Sequence, residues 1–90
     1  MMHRIDIKNE REYAVTVWVE PWGEDYTLLP GENYSFTAST PAEGFYFSTH
    51  WQDRDILLWA EAGCEEVLAT DNAVELFCGH NRQHRTDREF

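Results

Sequence analysis

The fold of this chain is decided by residues 13–36, which read YAVTVWVEPWGEDYTLLPGENYSF. Apolar side chains occupy every second position of 13–19, and a period of two is typical of a β-strand that buries one face. The Pro-Trp-Gly run at 21–23 interrupts this pattern, because proline cannot donate a hydrogen bond to a β-ladder. The Pro-Gly pair at 30–31 fits the centre of a type II turn, whose second residue needs a positive φ. The stretch therefore predicts three strands joined by two turns.

Further short strands are predicted on both sides of this stretch. The segment 45–50 is partly aromatic on both faces, and the segment 56–61 is apolar on both faces. A helix over 53–62 is the alternative for the second segment, but about two helical turns are too few for a stable helix, so we favour a strand. The Asp71-Asn72 pair separates two apolar runs, which predicts the centre of a tight hairpin there.

Seven or eight short strands with frequent turns predict an all-β fold, namely a small antiparallel β-sandwich or a partly open barrel. The chain has 90 residues, a length typical of one domain, which we place at residues 1–79. After Gly79 the composition changes to a polar run without apolar periodicity. Residues 80–90 are therefore predicted to form a disordered tail.

The charge balance narrows the classes of partner. The chain carries 7 basic and 17 acidic side chains, a formal net charge of −10. Nucleic acids and anionic membranes attract cationic surfaces, so we expect neither as a partner. No stretch approaches the roughly 20 apolar residues of a membrane span, and the first residues lack the apolar core of a signal peptide. We therefore expect a cytoplasmic protein, and a basic protein partner fits its charge.

One part of the sequence resembles a pattern found in small uncharacterised bacterial β-sandwich proteins. Those proteins carry a strand, then Glu-Pro-Trp-Gly, here at 20–23, and then a tyrosine-containing strand that ends in Leu-x-Pro-Gly-Glu, here at 28–32. A looser likeness, to the β-domain of the von Hippel–Lindau protein, rests on the same order of apolar strand, Pro/Gly turn and Leu-x-Pro-Gly corner. Both likenesses imply a compact β-sandwich, and neither brings an activity or a binding residue to this chain.

Three residues near the C-terminal end offer metal ligands, since Cys78, His80 and His84 provide a thiolate and two imidazoles. The paired Cys-x2-Cys element of common zinc sites is missing, and no methionine follows Met2 to complete a blue-copper site. We expect no cofactor, and a metal or redox role through these three residues stays an alternative. Because no nucleophile–base motif or glycine-rich phosphate loop occurs, we do not expect an enzyme.

Two tryptophans stand in turns, close to acidic residues. Trp22 is flanked by Glu20, Glu24 and Asp25, and Trp51 comes directly before a polar turn. Exposed tryptophans dominate binding hot spots, and nearby carboxylates suit an arginine or lysine through ion pairing and cation–π contact. The alternative is that both rings fold back over the ends of the sandwich as part of the core.

These residues predict a non-catalytic protein-interaction module that binds a basic partner, for example as a bacterial immunity or inhibitor protein. The module would act as a monomer or as a dimer formed through an exposed edge strand. A carbohydrate-binding module, in which tryptophan faces stack on sugar rings, is the alternative from another class. Binding that weakens steeply with salt would distinguish the first hypothesis from the second.

Overall fold

The computed structural model describes residues 3–79, which form eight β-strands and no helix within that range. The all-β prediction is confirmed, and so is the preference for a strand where a helix over 53–62 was the alternative. The strands are β1 (His3–Lys8), β2 (Val15–Glu20), β3 (Glu24–Leu28), β4 (Asn33–Ser39), β5 (Tyr46–Trp51), β6 (Asp55–Glu61), β7 (Glu66–Asp71) and β8 (Val74–Leu76).

The strands form two four-stranded sheets that face each other as a sandwich. Sheet A has the order β1-β4-β7-β8, and sheet B has the order β3-β2-β6-β5. The aliphatic and aromatic residues that alternate along β2 and β4 point between the sheets, where Val17, Tyr34 and Phe36 are fully buried. Tyr26 of sheet B meets Phe36 of sheet A edge to face, with ring centroids 5.7 Å apart. The buried side chains of the two sheets form a single core.

One strand pair differs from the predicted antiparallel arrangement. Strands β2 and β6 run parallel, with Thr16 opposite Asp55 and Glu20 opposite Trp59. Parallel neighbours need a long crossover connection. Here the intervening chain leaves sheet B after β3, passes through β4 of sheet A and returns as β5. Alternation along a strand reveals which face is buried but carries no information about the direction of its neighbour.

The turn between β3 and β4 confirms the predicted type II geometry. Gly31 has a φ of 87°, and the Glu32 amide donates to the Leu29 carbonyl at 3.0 Å. The predicted centre of the last hairpin is wrong by one residue, because Asn72 and Ala73, not Asp71 and Asn72, form the turn. Both have positive φ values, of 54° and 70°. This is the conformation of a type I′ turn, which matches the twist of the strands it joins.

The segment between β1 and β2 is held by the buried side chain of Asn9. Its Nδ2 donates to the carbonyls of Tyr13 and Leu28, at 2.8 and 2.9 Å. Its Oδ1 accepts from the Arg11 amide at 2.9 Å. The Asn9 amide also donates to the Glu32 carbonyl, and its own carbonyl accepts from Gly31. One asparagine thereby ties the end of β1 to the start of β2 and to the β3–β4 turn.

The four sheet edges differ in how they are protected against pairing with other chains. Strand β1 carries three charged residues, and β8 has only three residues. At the edge of β3, the Gly79 amide donates to the Asp25 carbonyl. Strand β5, which reads YFSTHW, contains neither lysine nor proline, the residues that commonly block an edge. The predicted choice between a monomer and an edge-strand dimer therefore concerns β5, and it stays a prediction.

The predicted tail, residues 80–90, lies outside the described residues, so the domain boundary at 79 stays a prediction. Between residues 3 and 79 there is no helix that is long and apolar enough to cross a membrane.

Candidate functional site

The five residues predicted to bind a partner do not form one surface. Glu20 ends β2, Trp22 lies in the turn that follows it, and Glu24 opens β3. Trp22 is 41% exposed and Trp51 is 55% exposed, so neither ring is a core plug, whereas Asp25 is only 3% exposed. Asp25 is therefore buried. The register also divides the rest of the surface predicted around Trp22, because Glu20 lies opposite exposed Trp59, whereas Glu24 pairs with buried Val19.

The strand register separates the two tryptophans. Trp51 pairs with Ile56, and Ile56 pairs with Val17, so Trp51 lies level with an early residue of β2. Trp22 lies beyond Glu20, at the other end of β2. A strand rises about 3.3 Å per residue, and neighbouring strands lie about 4.8 Å apart. Trp22 and Trp51 are therefore roughly 10 Å apart along the strand direction and roughly 10 Å apart across the sheet. The two tryptophans therefore do not contact each other, and the part of Trp51 in partner binding stays a prediction.

Asp25 is buried because it contacts the chain that follows β8. The Asp25 amide donates to Cys78 Sγ at 3.4 Å, and Cys78 Sγ donates to Asp25 Oδ1 at 3.3 Å. A carboxylate in this position does not reach a partner in solution, although its charge still acts on nearby groups. Cys78 itself is exposed, because the chain has left β8 at Leu76.

A groove runs between the edges of the two sheets, with a volume of about 380 Å³. We call it the acidic groove, since three glutamates line it, Glu24 from β3, Glu66 from β7 and Glu75 from β8. Its other lining residues are apolar or weakly polar, namely Tyr26, Val67, Leu68, Ala69, Leu76, Phe77 and Cys78. The ring of Phe77 is 74% exposed. The groove thus combines an apolar floor with a rim of carboxylates.

The carboxylates make the interior of the acidic groove electronegative. The pKa of Tyr26 is raised to about 12, chiefly by burial and next by the negative charge of Glu24, with smaller contributions from Cys78, Glu75 and Asp25. Burial also raises the pKa of the Cys78 thiol. The hydrogen bond from the Asp25 amide lowers this pKa, and the Asp25 and Glu24 carboxylates raise it. The negative charge of Glu24 disfavours an anion at both groups, whereas burial, the larger cause, disfavours a charge of either sign.

The raised pKa of Tyr26 predicts a loss of stability at alkaline pH. An unfolded tyrosine releases its proton near pH 10, whereas folded Tyr26 holds it to about pH 12. Stability is therefore unaffected by this group below about pH 10 and falls as the pH rises from there towards 12, because the unfolded state loses its proton first. Urea unfolding at a series of pH values measures this slope.

The matched variant is Tyr26→Phe, which keeps the ring and removes the titrating hydroxyl. We expect a shallower alkaline fall for this variant than for the parent chain. The remainder of the fall comes from Tyr34, whose pKa is also raised, by burial and by Glu32, and from the thiols of Cys64 and Cys78, whose pKa values are raised by burial. An unchanged slope in Tyr26→Phe would show that the pKa of Tyr26 is not raised in the folded chain.

A second surface, which the sequence analysis missed, covers the outer face of sheet B. We call it the aromatic face, and it carries Trp59 of β6 and Tyr46 of β5, 39% and 57% exposed. Glu20 lies opposite Trp59, and Ser48 Oγ donates to Glu61 Oε2 at 2.7 Å. The signal was present in the sequence, because β5 is aromatic and β6 apolar on both faces. One of those faces has no second sheet to cover it.

The metal hypothesis stays a prediction. His80 and His84 lie outside the described residues, and among residues 3–79 no group of three His, Cys, Asp or Glu side chains could hold a metal ion. The two thiols of the described range, Cys64 and Cys78, are both free.

No family model, curated protein or solved structure matches this chain in the three comparisons made. The likeness to small bacterial β-sandwich proteins and to the von Hippel–Lindau β-domain therefore stays a prediction.

Proposed function

We propose that this protein is a non-catalytic interaction module that binds a basic protein partner through the acidic groove. The observation that carries the proposal is that Glu24, Glu66 and Glu75 line one groove together with buried apolar side chains. These residues come from three strands in two sheets, so the cluster exists only in the folded chain. An immunity or inhibitor protein that neutralises a cationic toxin or enzyme is the form of this function that a small acidic chain fits best.

The chemistry of the groove fits an arginine or lysine side chain of the partner. Such a side chain lays its aliphatic stem on apolar surface and places its charged end among acceptors. Leu76 and Phe77 provide the apolar surface, and the glutamates of the rim provide the acceptors. Charge-assisted hydrogen bonds of this kind are about twice as strong as neutral ones.

The turn that precedes Glu24 extends the contact surface. Trp22 is separated from Glu24 by one residue, and its ring is partly exposed. A tryptophan next to a charged groove is a common binding hot spot, and its face can receive a second cationic side chain. The net charge of −10 adds long-range attraction, which speeds the encounter with a basic partner at low salt.

Peptide selection tests this function without requiring that the partner be identified. A displayed library of random peptides is selected on the immobilised chain, and the enriched peptides are synthesised and titrated. We expect the enriched peptides to be rich in arginine and lysine. We expect their binding to weaken about tenfold in the variant Glu24→Gln/Glu75→Gln, a loss of about 1.4 kcal/mol. Raising the salt concentration should weaken it as well.

The matched control is Glu12→Gln/Glu43→Gln, which removes the same charge at exposed positions outside the acidic groove. We expect nearly full binding in this control. An equal loss in both variants would show that net charge alone attracts the peptides, which would contradict a site at the groove. Enrichment of peptides without basic residues would contradict the proposed function itself.

A second candidate function is favoured by the aromatic face. Trp59 and Tyr46 are diagonal neighbours on one face, since Trp59 pairs with Ser48, two residues from Tyr46. Exposed rings on a flat sheet face, beside hydroxyl and carboxylate groups, are able to stack on sugar rings. Binding on a glycan array that resists salt and disappears in Trp59→Ala would establish a carbohydrate-binding module in place of the first function.

A further inference from the structure

A separate concavity opens at the end of the sandwich where Trp51 lies. We call it the end pocket, and its volume is about 300 Å³. Its floor consists of core side chains from both sheets, Ile7, Val15, Leu28 and Ile56, all of them buried. Its rim consists of residues 8–11 and the exposed ring of Trp51. The end pocket shares no residue with the acidic groove.

The size and lining of the end pocket fit a small apolar group. An apolar cavity of about 150 Å³ binds benzene, so a space of about 300 Å³ takes a body of roughly ten carbon atoms. Small-molecule sites begin at about this volume and combine apolar walls with a few polar groups that set the orientation.

The rim of the end pocket carries cations, in a chain that is otherwise strongly acidic. Lys8 and Arg11 line it together with one carboxylate, Glu10. Arg11 is already engaged, because its Nη1 donates to the Tyr13 hydroxyl at 2.8 Å and lies 4.0 Å from Asp53 Oδ1. Lys8 has no ion pair within residues 3–79. A cation at the mouth of an apolar pocket selects an anionic end group.

The rim is also held in place before any ligand arrives. Asn9 lies between the two cations, and its side chain is fixed by hydrogen bonds to Tyr13, Leu28 and the Arg11 amide. A preorganised rim loses little conformational entropy when a ligand binds, which favours affinity.

We propose that the end pocket binds a small amphiphile that consists of an apolar body of about ten carbons and one carboxylate. The apolar body lies on the floor between the sheets and against the Trp51 ring. The carboxylate pairs with the Lys8 ammonium at the rim. This inference assigns Trp51, which the sequence placed in a protein-binding surface, to a small-molecule site instead. It does not depend on the acidic groove or on the proposed function.

Decanoate is the probe for this site, used below its critical micelle concentration and titrated by calorimetry and by tryptophan fluorescence. We expect saturable binding of one decanoate per chain. Decylamine has the same body and the opposite charge, and we expect it to bind at least about tenfold more weakly. Failure of decanoate to bind saturably, or equal binding of the two compounds, would overturn the proposal.

Substitutions at exposed positions assign the binding to the rim. We expect Lys8→Gln to weaken decanoate binding about tenfold, or about 1.4 kcal/mol. Arg4→Gln removes the same charge from the same strand, outside the end pocket, and should leave the affinity unchanged. Both side chains are exposed, so both variants should fold. Equal losses in the two variants would show that overall charge, not Lys8, attracts decanoate, and would overturn the site.

Discussion

Replacing Phe36 by alanine is expected to lower the free energy of unfolding by about 3–5 kcal/mol. Phe36 is fully buried in β4, which lies between β1 and β7, and it stands opposite Ile5 and Ala69. Its ring also contacts Tyr26 across the core. The loss combines the transfer free energy of the ring with the cost of the cavity that remains. Urea denaturation followed by tryptophan fluorescence measures it.

The control for this substitution is Phe77→Ala, which removes the same ring from a site that is 74% exposed. Surface substitutions of this kind usually stay within about 0.5 kcal/mol. At about 0.05–0.15 kcal/mol per residue, a chain of 90 residues has a stability of roughly 4–14 kcal/mol, so the Phe36 variant should lose a large fraction of it. A loss below about 1 kcal/mol for Phe36→Ala would show that the two sheets do not pack as described.

Replacing Asn9 by alanine is expected to cost about 2–4 kcal/mol, because it leaves buried backbone groups without their partners. The carbonyls of Tyr13 and Leu28 lose a donor, and the Arg11 amide loses an acceptor. Each unsatisfied buried group costs about 1–3 kcal/mol, and the costs are not additive. Urea denaturation gives the change in stability. Decanoate titration of the folded fraction shows whether the rim of the end pocket has also lost its shape.

Asn33→Ala is the matched control, since Asn33 is exposed at the start of β4. We expect a change within about 0.5 kcal/mol for it. If Asn9→Ala were as mild as Asn33→Ala, water or a shifted loop would have replaced the hydrogen bonds, and the rim of the end pocket would not depend on Asn9.

The sequence predicted most of this architecture because local patterns decide it. Alternation placed the strands, and the Pro30-Gly31 pair predicted a turn whose glycine has a positive φ in the structure. The site was less predictable, since tertiary contacts decide which side chains stay exposed. Asp25 reads as a surface acid, yet it lies under the chain that follows β8. Glu66 and Glu75 are distant in sequence from Glu24 and meet it only where the edges of the sheets converge.

The hydrogen bonds of Asn9 could not be predicted from the sequence either. The four polar residues 8–11 are typical of a turn, and nothing in the local sequence shows that Asn9 is buried. The exposure of Trp59 and Tyr46, in contrast, could have been recognised from the sequence. A strand that is apolar on both faces is fully buried only if a layer packs against each face, and in a sandwich each sheet packs against another sheet on one face only.

The parallel pairing of β2 with β6 also bears on how the chain acquires its fold during synthesis. Strand β2 can pair with β3 at once, but its other neighbour follows about 40 residues later, a slow, non-local contact. At about 5–20 residues per second, the ribosome needs about 2–8 s to deliver it. During that interval the edge of β2 that later pairs with β6 has no partner strand, in a segment that contains three valines. We expect nascent chains that end before Asp55 to be captured by chaperones or to aggregate, and we expect protease resistance only in longer chains from which β6 has emerged.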